Sequence, residues 1–215
     1  MNKTAQLVNE WVAFEASHPN ANLEDFYRFR LSQRQITKGE KFLGGVVPPR
    51  PEQTLAKMMD RIMKLYLAYA SMALKENEVV KHFDDFIYLN AIYRLSQPRK
   101  IDVINNNFNE LSSGLLIIDR LKGKGYVEEK PNPQDGRAKL LFLTEAGIAT
   151  LKRCYHQLDE VNKMFFKEVP QDDIQLCTQL LKPLEVKFST LWVKDKNLSF
   201  ADIFKREEGK HSTEP

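Results

Sequence analysis

Residues Phe83–Gly147 read FDDFIYLNAIYRLSQPRKIDVINNNFNELSSGLLIIDRLKGKGYVEEKPNPQDGRAKLLFLTEAG, and the order of signals in this stretch decides the fold. Asp84 to Leu95 is a helical pattern with Phe86, Leu89, Ile92 and Tyr93 inward, closed by Pro98. Arg99-Lys100 opens a short helix through Ile101, Val103 and Ile104, and Asn105-Asn106-Asn107 makes a polar turn, since Asn tolerates left-handed backbone and competes for helical hydrogen bonds. Leu111–Lys122 is a second helix, stopped at Gly123 and Gly125. Two short runs follow, Tyr126–Lys130 and Arg137–Leu143, with Pro131, Asn132, Pro133, Asp135 and Gly136 crowded between them. Proline fixes φ, glycine permits positive φ, and Asn and Asp side chains cap their own backbone, so this is a hairpin. A helix-turn-helix followed by a basic hairpin can lay one helix in a major groove with the hairpin beside it. The pattern predicts a mainly α fold carrying a small β-hairpin, a winged helix-turn-helix that binds DNA.

Spacing assigns the faces of the recognition helix. Leu111, Leu115, Ile118 and Leu121 recur at i, i+4, i+7 and i+10 and point to the core. The outward arc then holds Asn109, Ser112, Ser113, Leu116, Arg120 and Lys124. Base readout favours Arg for guanine and Asn or Gln for adenine, so the polar reach here is short. Ser112 and Ser113 suit either base contact or capping; Leu116 suits either a thymine methyl or burial. Arg99 and Lys100 at the first helix, with Lys130, Arg137 and Lys139 in the hairpin, are candidates for phosphate neutralisation, against the plainer reading of a solvated face.

Outward from this stretch, residues 52–77 form a long helix in which Leu55, Met58, Met59, Ile62, Leu65, Tyr66, Tyr69, Met72 and Ala73 make a wide apolar face. Such a stripe is core or dimer seam more often than a ligand wall. Thr144 caps the next helix, with Ile148, Leu151, Tyr155, Leu158, Val161 and Phe165 in register up to Pro170. A final helix carries Ile174, Cys177, Leu180, Leu181, Leu184 and Leu191, with Pro183 expected to kink it. The charged segment 193–215 reads as a partly disordered tail, although Leu198, Phe200, Ile203 and Phe204 are candidates for local docking. At the other end, Leu7, Trp11 and Phe14 share one helical stripe, and Asn22 caps a second helix with Phe26 and Phe29 inward. Helices this small do not bury their faces alone and are expected to pack on the main body, as a dimer contact, a lid or a plain extension. Residues 38–51, with paired glycines and three prolines, read as a linker.

Over residues 52–192 the chain resembles the MarR family of bacterial transcription regulators. The matching features are Gly125–Val127 after the recognition helix, Asp135-Gly136-Arg137 in the wing turn, the apolar strand Leu140–Leu143, and Leu143-Thr144-Glu145-Ala146-Gly147 opening the next helix. Asp119-Arg120-Leu121 matches the end of the family's recognition helix. The resemblance implies that 83–147 is the winged helix and that 52–77 and 144–192 are dimerisation helices, with 1–50 an added extension. It implies a homodimer on a pseudo-palindromic double-stranded operator, with Asp135 holding the wing turn and Arg137 reaching or bracing the minor groove. It also implies a small aromatic or amphipathic effector in a crevice at the inner end of the first long helix, where Met59, Met63 and Tyr66 stand. The chain departs from the family at Leu115 and Leu116, where Thr or Arg is usual, and at Gly136, where a second arginine is usual.

Bulk composition fits a globular protein: 215 residues, 42% hydrophobic, 28% charged, net charge +3. So mild a positive charge does not itself indicate nucleic acid. Cys154 and Cys177 both fall in helical patterns and read as buried small hydrophobes in a reduced, cytoplasmic chain, with no apolar run of the ~20 residues a bilayer requires. His18, His82, His156 and His211 are scattered, and no phosphate loop, nucleophile elbow or metal spacing appears. Asp84-Asp85 reads as a pair favouring a helix N-terminus. Neither enzyme chemistry nor a cofactor is expected. The rival to a DNA-binding regulator is the same scaffold used as a ligand-sensing or protein-interaction module.

Overall fold

The computed structural model describes residues 2–33, 48–76 and 78–211; most of the expected linker, Asn77 at the expected end of the first long helix, and the last four residues of the tail lie outside them. The chain divides into two compact units, Met1–Met58 and Met59–Pro215.

The first unit holds α1 (Lys3–Ser17) and α2 (Leu23–Ser32). Asn22 caps α2 as expected: its side-chain oxygen accepts from the Glu24 and Asp25 N–H groups, while the Asp25 carboxylate accepts from the Asn22 N–H, a reciprocal capping box. The two helices share an aromatic core of their own. The Phe14 and Phe26 rings, 5.4 Å apart, are its buried centre, with Trp11 and Phe29 against them. Leu7, expected on that stripe, is exposed.

From α3 (Pro51–Glu76) the chain enters the second unit, which continues with α4 (Phe83–Leu95), α5 (Lys100–Asn106), α6 (Leu111–Gly123), β1 (Val127–Asn132), β2 (Asp135–Leu143), α7 (Glu145–Phe165), α8 (Gln171–Asp195) and α9 (Phe200–His211). This is the mainly helical fold with a two-stranded wing that the sequence predicts. The strands pair antiparallel from Val127↔Leu143 to Pro131↔Lys139, and the register then jumps to Asn132↔Asp135. A bulge there lets β1 extend past Pro131 to a connection of only Pro133 and Gln134.

The winged-helix core is formed by Tyr88, Leu89 and Ile92 of α4, Val103 and Ile104 of α5, Ile117, Ile118 and Leu121 of α6, with Val127, Leu141 and Leu151. Two sequence-based faces shift. Tyr93 is 60% exposed and Tyr88 is buried instead, because Asp85, Tyr88, Leu89 and Ile92 form the i, i+3, i+4, i+7 stripe that meets the core. Leu111 is 54% exposed, and Gly114, Ile117, Ile118 and Leu121 form the buried stripe of α6. The left-handed residue between α5 and α6 is Phe108 (φ 55°), not one of the three asparagines. Asn107 is held in place by donating its side-chain amide to the Val103 carbonyl at 2.9 Å, so the reversal falls one residue later.

A second core joins Ala70 and Leu74 of α3 to Val79, Val80, Cys154 and Leu158. Burial pushes the Cys154 thiol up to about 11. Cys177, by contrast, is exposed on α8, so only one of the two cysteines is the buried hydrophobe expected. The segment from 193, expected to be partly disordered, is helical over much of its described length. α8 runs through Pro183 to Asp195 and α9 follows, because buried Asp195 accepts two hydrogen bonds of 2.7 Å from Arg206 and pins the two helices together.

Candidate nucleic-acid interface

The recognition helix is positioned from both ends. At its start, Gly114 lies against Ile104 and the Tyr88 hydroxyl so closely that a β-carbon would collide with both, which brings α6 hard against α5 and α4. At its end, the chain turns through Gly125 (φ 70°), whose left-handed backbone a side chain would strain. Thr144 then closes the wing from the far side. Its hydroxyl donates to the Gly125 carbonyl at 2.6 Å and accepts from the Gly147 N–H at 3.0 Å, capping α7. Gly147 is required because any β-carbon there would run into the Tyr126 backbone carbonyl. The Leu-Thr-Glu-Ala-Gly sequence is thus the joint that fixes the wing to the following helix.

An isolated bridge ties the lead-in of α5 to the two-stranded wing: the Leu141 N–H donates to the Pro98 carbonyl at 2.8 Å, and Arg99 pairs with Leu140. In the wing turn, the Asp135 carboxylate accepts from the Arg137 N–H at 3.1 Å, and the Asn132 side chain accepts from the Gln134 N–H at 3.0 Å.

On the outer face of α6, Ser112 and Ser113 are exposed, and Leu116, at 69% exposure, is its most prominent apolar side chain. Neither serine hydroxyl has a hydrogen-bond partner among the described residues, and Glu110, not a serine, occupies the cap position. The capping role open to the serines is therefore not the one they take. Asn109 is half-buried, and its N–H donates to the Ile104 carbonyl. Arg120 and Lys124 do not project from this arc. Both turn inward to Asp85, whose carboxylate is fully buried, at 2.6 and 2.7 Å. Asp85 is thus more than a residue of the α4 N-terminus. It anchors the C-terminal end of the recognition helix, because a buried carboxylate needs paired cations.

The other candidate cations are also partnered. Arg99 makes a two-pronged contact with Asp102, at 2.9 and 2.8 Å. That bond holds the Asp102 carboxyl below its ordinary range. Lys100 and Lys122 both reach Glu129, at 2.8 and 2.7 Å, with Lys139 at 4.0 Å. Burial raises the Glu129 carboxyl, but the lysine hydrogen bonds and charges outweigh it and leave the group below its ordinary range. Lys130 is held between Glu128 at 2.7 Å and the face of Phe142. Arg137 differs: it is exposed at the wing tip and has no ion pair among the described residues. Sequence reasoning missed Asp85, Lys122 and Glu129. Arg99 and Asp102 at i, i+3 was a legible pair, whereas the other partners come together only through the fold.

Of the crevice residues, Tyr66 donates its hydroxyl to the Asn162 side chain at 2.9 Å and meets Phe165 edge-on, while Met59 and Met63 are exposed. A cavity of about 800 Å³ opens elsewhere, between the end of α3 and the end of α6, lined by Lys75, Lys81, His82, Lys124 and Tyr126 among others. Among the described residues no cluster of His, Cys, Asp or Glu is placed to hold a metal, and no helix is long and apolar enough to cross a membrane.

No family model matches the chain. Individual proteins do match. The chain is 38% identical over 75 residues to the multiple antibiotic resistance protein MarR of Escherichia coli, an alignment covering 34% of this chain and 51% of that protein. It is 32% identical over 82 residues to the HTH-type transcriptional repressor IacR of Pseudomonas putida, covering 38% of this chain and 47% of that one. The chain therefore spans about half the length of the curated relatives it matches. Among solved structures, a mutant E. coli MarR complexed with operator DNA superposes with a TM-score of 0.56 at 22% identity, over 60% of this chain and 92% of that one. CouR from Rhodococcus jostii RHA1 bound to p-coumaroyl-CoA gives 0.56 at 17% identity, over 64% and 95%. At these identities the structures establish a shared winged-helix fold. Together with the curated relatives, they identify the region as similar to the MarR regulators.

Proposed function

We propose that this chain, whose winged-helix lobe has the fold of the MarR regulators, is a sequence-specific DNA-binding transcription regulator acting as a homodimer. The observation that carries the reading is the face of α6. Ser112, Ser113 and Leu116 project without protein partners, beside a wing that ends in the unpaired cation Arg137. In this arrangement the serines reach polar base edges, Leu116 reaches a thymine methyl, and Arg137 enters the adjoining minor groove. Arg99, Lys100, Lys130 and Lys139 approach phosphates, each from an existing acidic partner. Arg120 is removed from the contacting set and assigned to holding α6 in place.

Two recognition helices on a dimer would meet major grooves ~34 Å apart on a pseudo-palindrome. An effector acts by binding the two dimer geometries unequally and so shifting their populations. The solved relatives include one bound to p-coumaroyl-CoA and one described as regulated by 6-hydroxynicotinic acid. For this chain a small aromatic or amphipathic molecule is the corresponding proposal. The cavity beside Lys124 offers it cationic and aromatic groups at the base of the recognition helix.

The compensated charge of the basic residues favours a second reading, a ligand-sensing or protein-interaction module without specific DNA readout. Sequencing genomic fragments captured by the purified protein at ~150 mM salt separates the two. Enrichment of one inverted repeat is expected. Uniform or absent capture by folded, dimeric protein would select the sensing or interaction module.

A further inference from the structure

The ion pairs around Glu129 have a consequence for how such a surface discriminates among DNA sequences. Glu129 lies on β1 with its side chain only 11% exposed, and it draws lysines from three other elements: Lys100 at the start of α5, Lys122 near the end of α6 and Lys139 on β2. One oxygen, Oε1, accepts from both Lys100 (2.8 Å) and Lys122 (2.7 Å), while Oε2 faces Lys139 at 4.0 Å. A crevice of about 370 Å³ between α5 and β2 is lined by Arg99, Lys100, Ile101, Glu129, Ala138 and Lys139, and Glu129 is the only acid of these six. The carboxylate therefore lies beneath a cationic surface at the seam between wing and helix-turn-helix.

We infer that Glu129 is a positioning and specificity residue for DNA binding: it ties Lys100, Lys122 and Lys139 into one cluster and makes them compete with it before they grip a phosphate. The inference rests on the regulator reading above. An ammonium has three N–H donors, so a lysine engaged by Glu129 still presents hydrogens outward. Lys100 and Lys122 remain 31% and 34% exposed, consistent with that shared use. Three lysines against one carboxylate leave two positive charges on the cluster, and phosphate attraction is the part of binding that reads no sequence. Damping it lowers non-specific affinity, while contacts from Ser112, Ser113 and Leu116 to base edges are untouched. Geometry contributes as well. With the lysines converged on one point, wing and recognition helix meet the duplex at a fixed angle, so poorly fitting sequences gain little by rearrangement.

The test is Glu129→Gln, which keeps the shape and removes the charge, measured by titration against a random-sequence duplex and against the inverted repeat that the protein enriches. Affinity for the random duplex should rise severalfold, with the slope of log K against log salt steepening by about 0.9 for each additional phosphate neutralised. The ratio of specific to random affinity should fall. Adding Lys122→Gln to Glu129→Gln restores the charge balance and should return the slope towards wild type. A purely structural role predicts otherwise: thermal stability and both affinities fall together, and Lys122→Gln does not restore the slope. An unchanged slope, or parallel losses of that kind, overturns the inference while leaving the regulator reading intact. Wild-type protein that binds neither duplex overturns both.

Discussion

At the scale of single residues, the cations of this protein fall into two kinds, and exposure alone does not separate them. Lys130 and Arg137 both lie in the wing, yet Lys130 is held by Glu128 and Phe142 while Arg137 has no ionic partner among the described residues. Arg137→Ala should weaken operator binding by ~1–3 kcal/mol if the guanidinium enters a groove, with a shallower salt slope. Lys130→Ala should do less, because phosphate must draw that lysine from contacts it already has. Equal losses from the two variants in a binding titration would remove the distinction. Glu129 adds a pH dependence. Its folded carboxyl lies below its ordinary range, so its contribution to stability is present in full above that range and is lost as pH falls through the lowered folded value. In urea unfolding, wild type should exceed Glu129→Gln in stability at neutral pH, and the gap should close on acidification below the ordinary carboxylate range. A gap that persists in acid would show that the glutamate acts through shape rather than charge.

Single elements show which parts of the site were legible in the sequence. Helical and strand periods located α4, α5, α6 and the hairpin, because each buries one stripe and that stripe is written in the local spacing. The Leu-Thr-Glu-Ala-Gly joint was legible too, since Thr144 caps a helix three residues ahead. Partners distant in sequence were not. Arg120 reaches Asp85 across 35 residues and Lys124 reaches it across 39, so the spacing that put them on the outer arc was overridden by a buried carboxylate. Gly114 belongs to the same class, as its need for no side chain is set by Ile104 and Tyr88 from other helices. Gly114→Ala should therefore cost about 1–3 kcal/mol by forcing α6 away from α5. Gly147→Ala should cost at least as much, because its neighbour is the Tyr126 backbone and not a movable side chain. Urea unfolding monitored by circular dichroism measures both. A variant as stable as wild type at either position would show that the elements can separate freely there.

At the scale of the whole molecule, the question is what covers the apolar faces that one chain leaves open. Leu55, Met58, Met59, Ile62, Leu65, Tyr69 and Met72 recur at three- and four-residue intervals along α3, the stripe the sequence assigns to core or dimer seam, and all are exposed in the single chain. α8 repeats the pattern with Leu180, Leu184, Phe188 and Trp192, and Asp195 at its last turn is its sole buried residue. A 25-residue helix whose apolar side chains face water draws little stability from its own chain, since most helical stability comes from packing an apolar face. Exposed patches of this extent mark an interface. On the proposed homodimer reading, a second copy would supply the same two stripes in self-complementary form, as a two-fold interface requires. Ile62→Asp, at the middle of the α3 stripe, should convert a dimer to a monomer in sedimentation equilibrium and weaken operator binding sharply, since each half-site then binds alone. The wild-type melting temperature should rise with protein concentration, because dissociation accompanies unfolding, and that dependence should disappear in the variant. A wild-type protein that sediments as a monomer, with a melting temperature independent of concentration, would assign these faces to a different partner and remove the paired recognition helices on which operator reading depends.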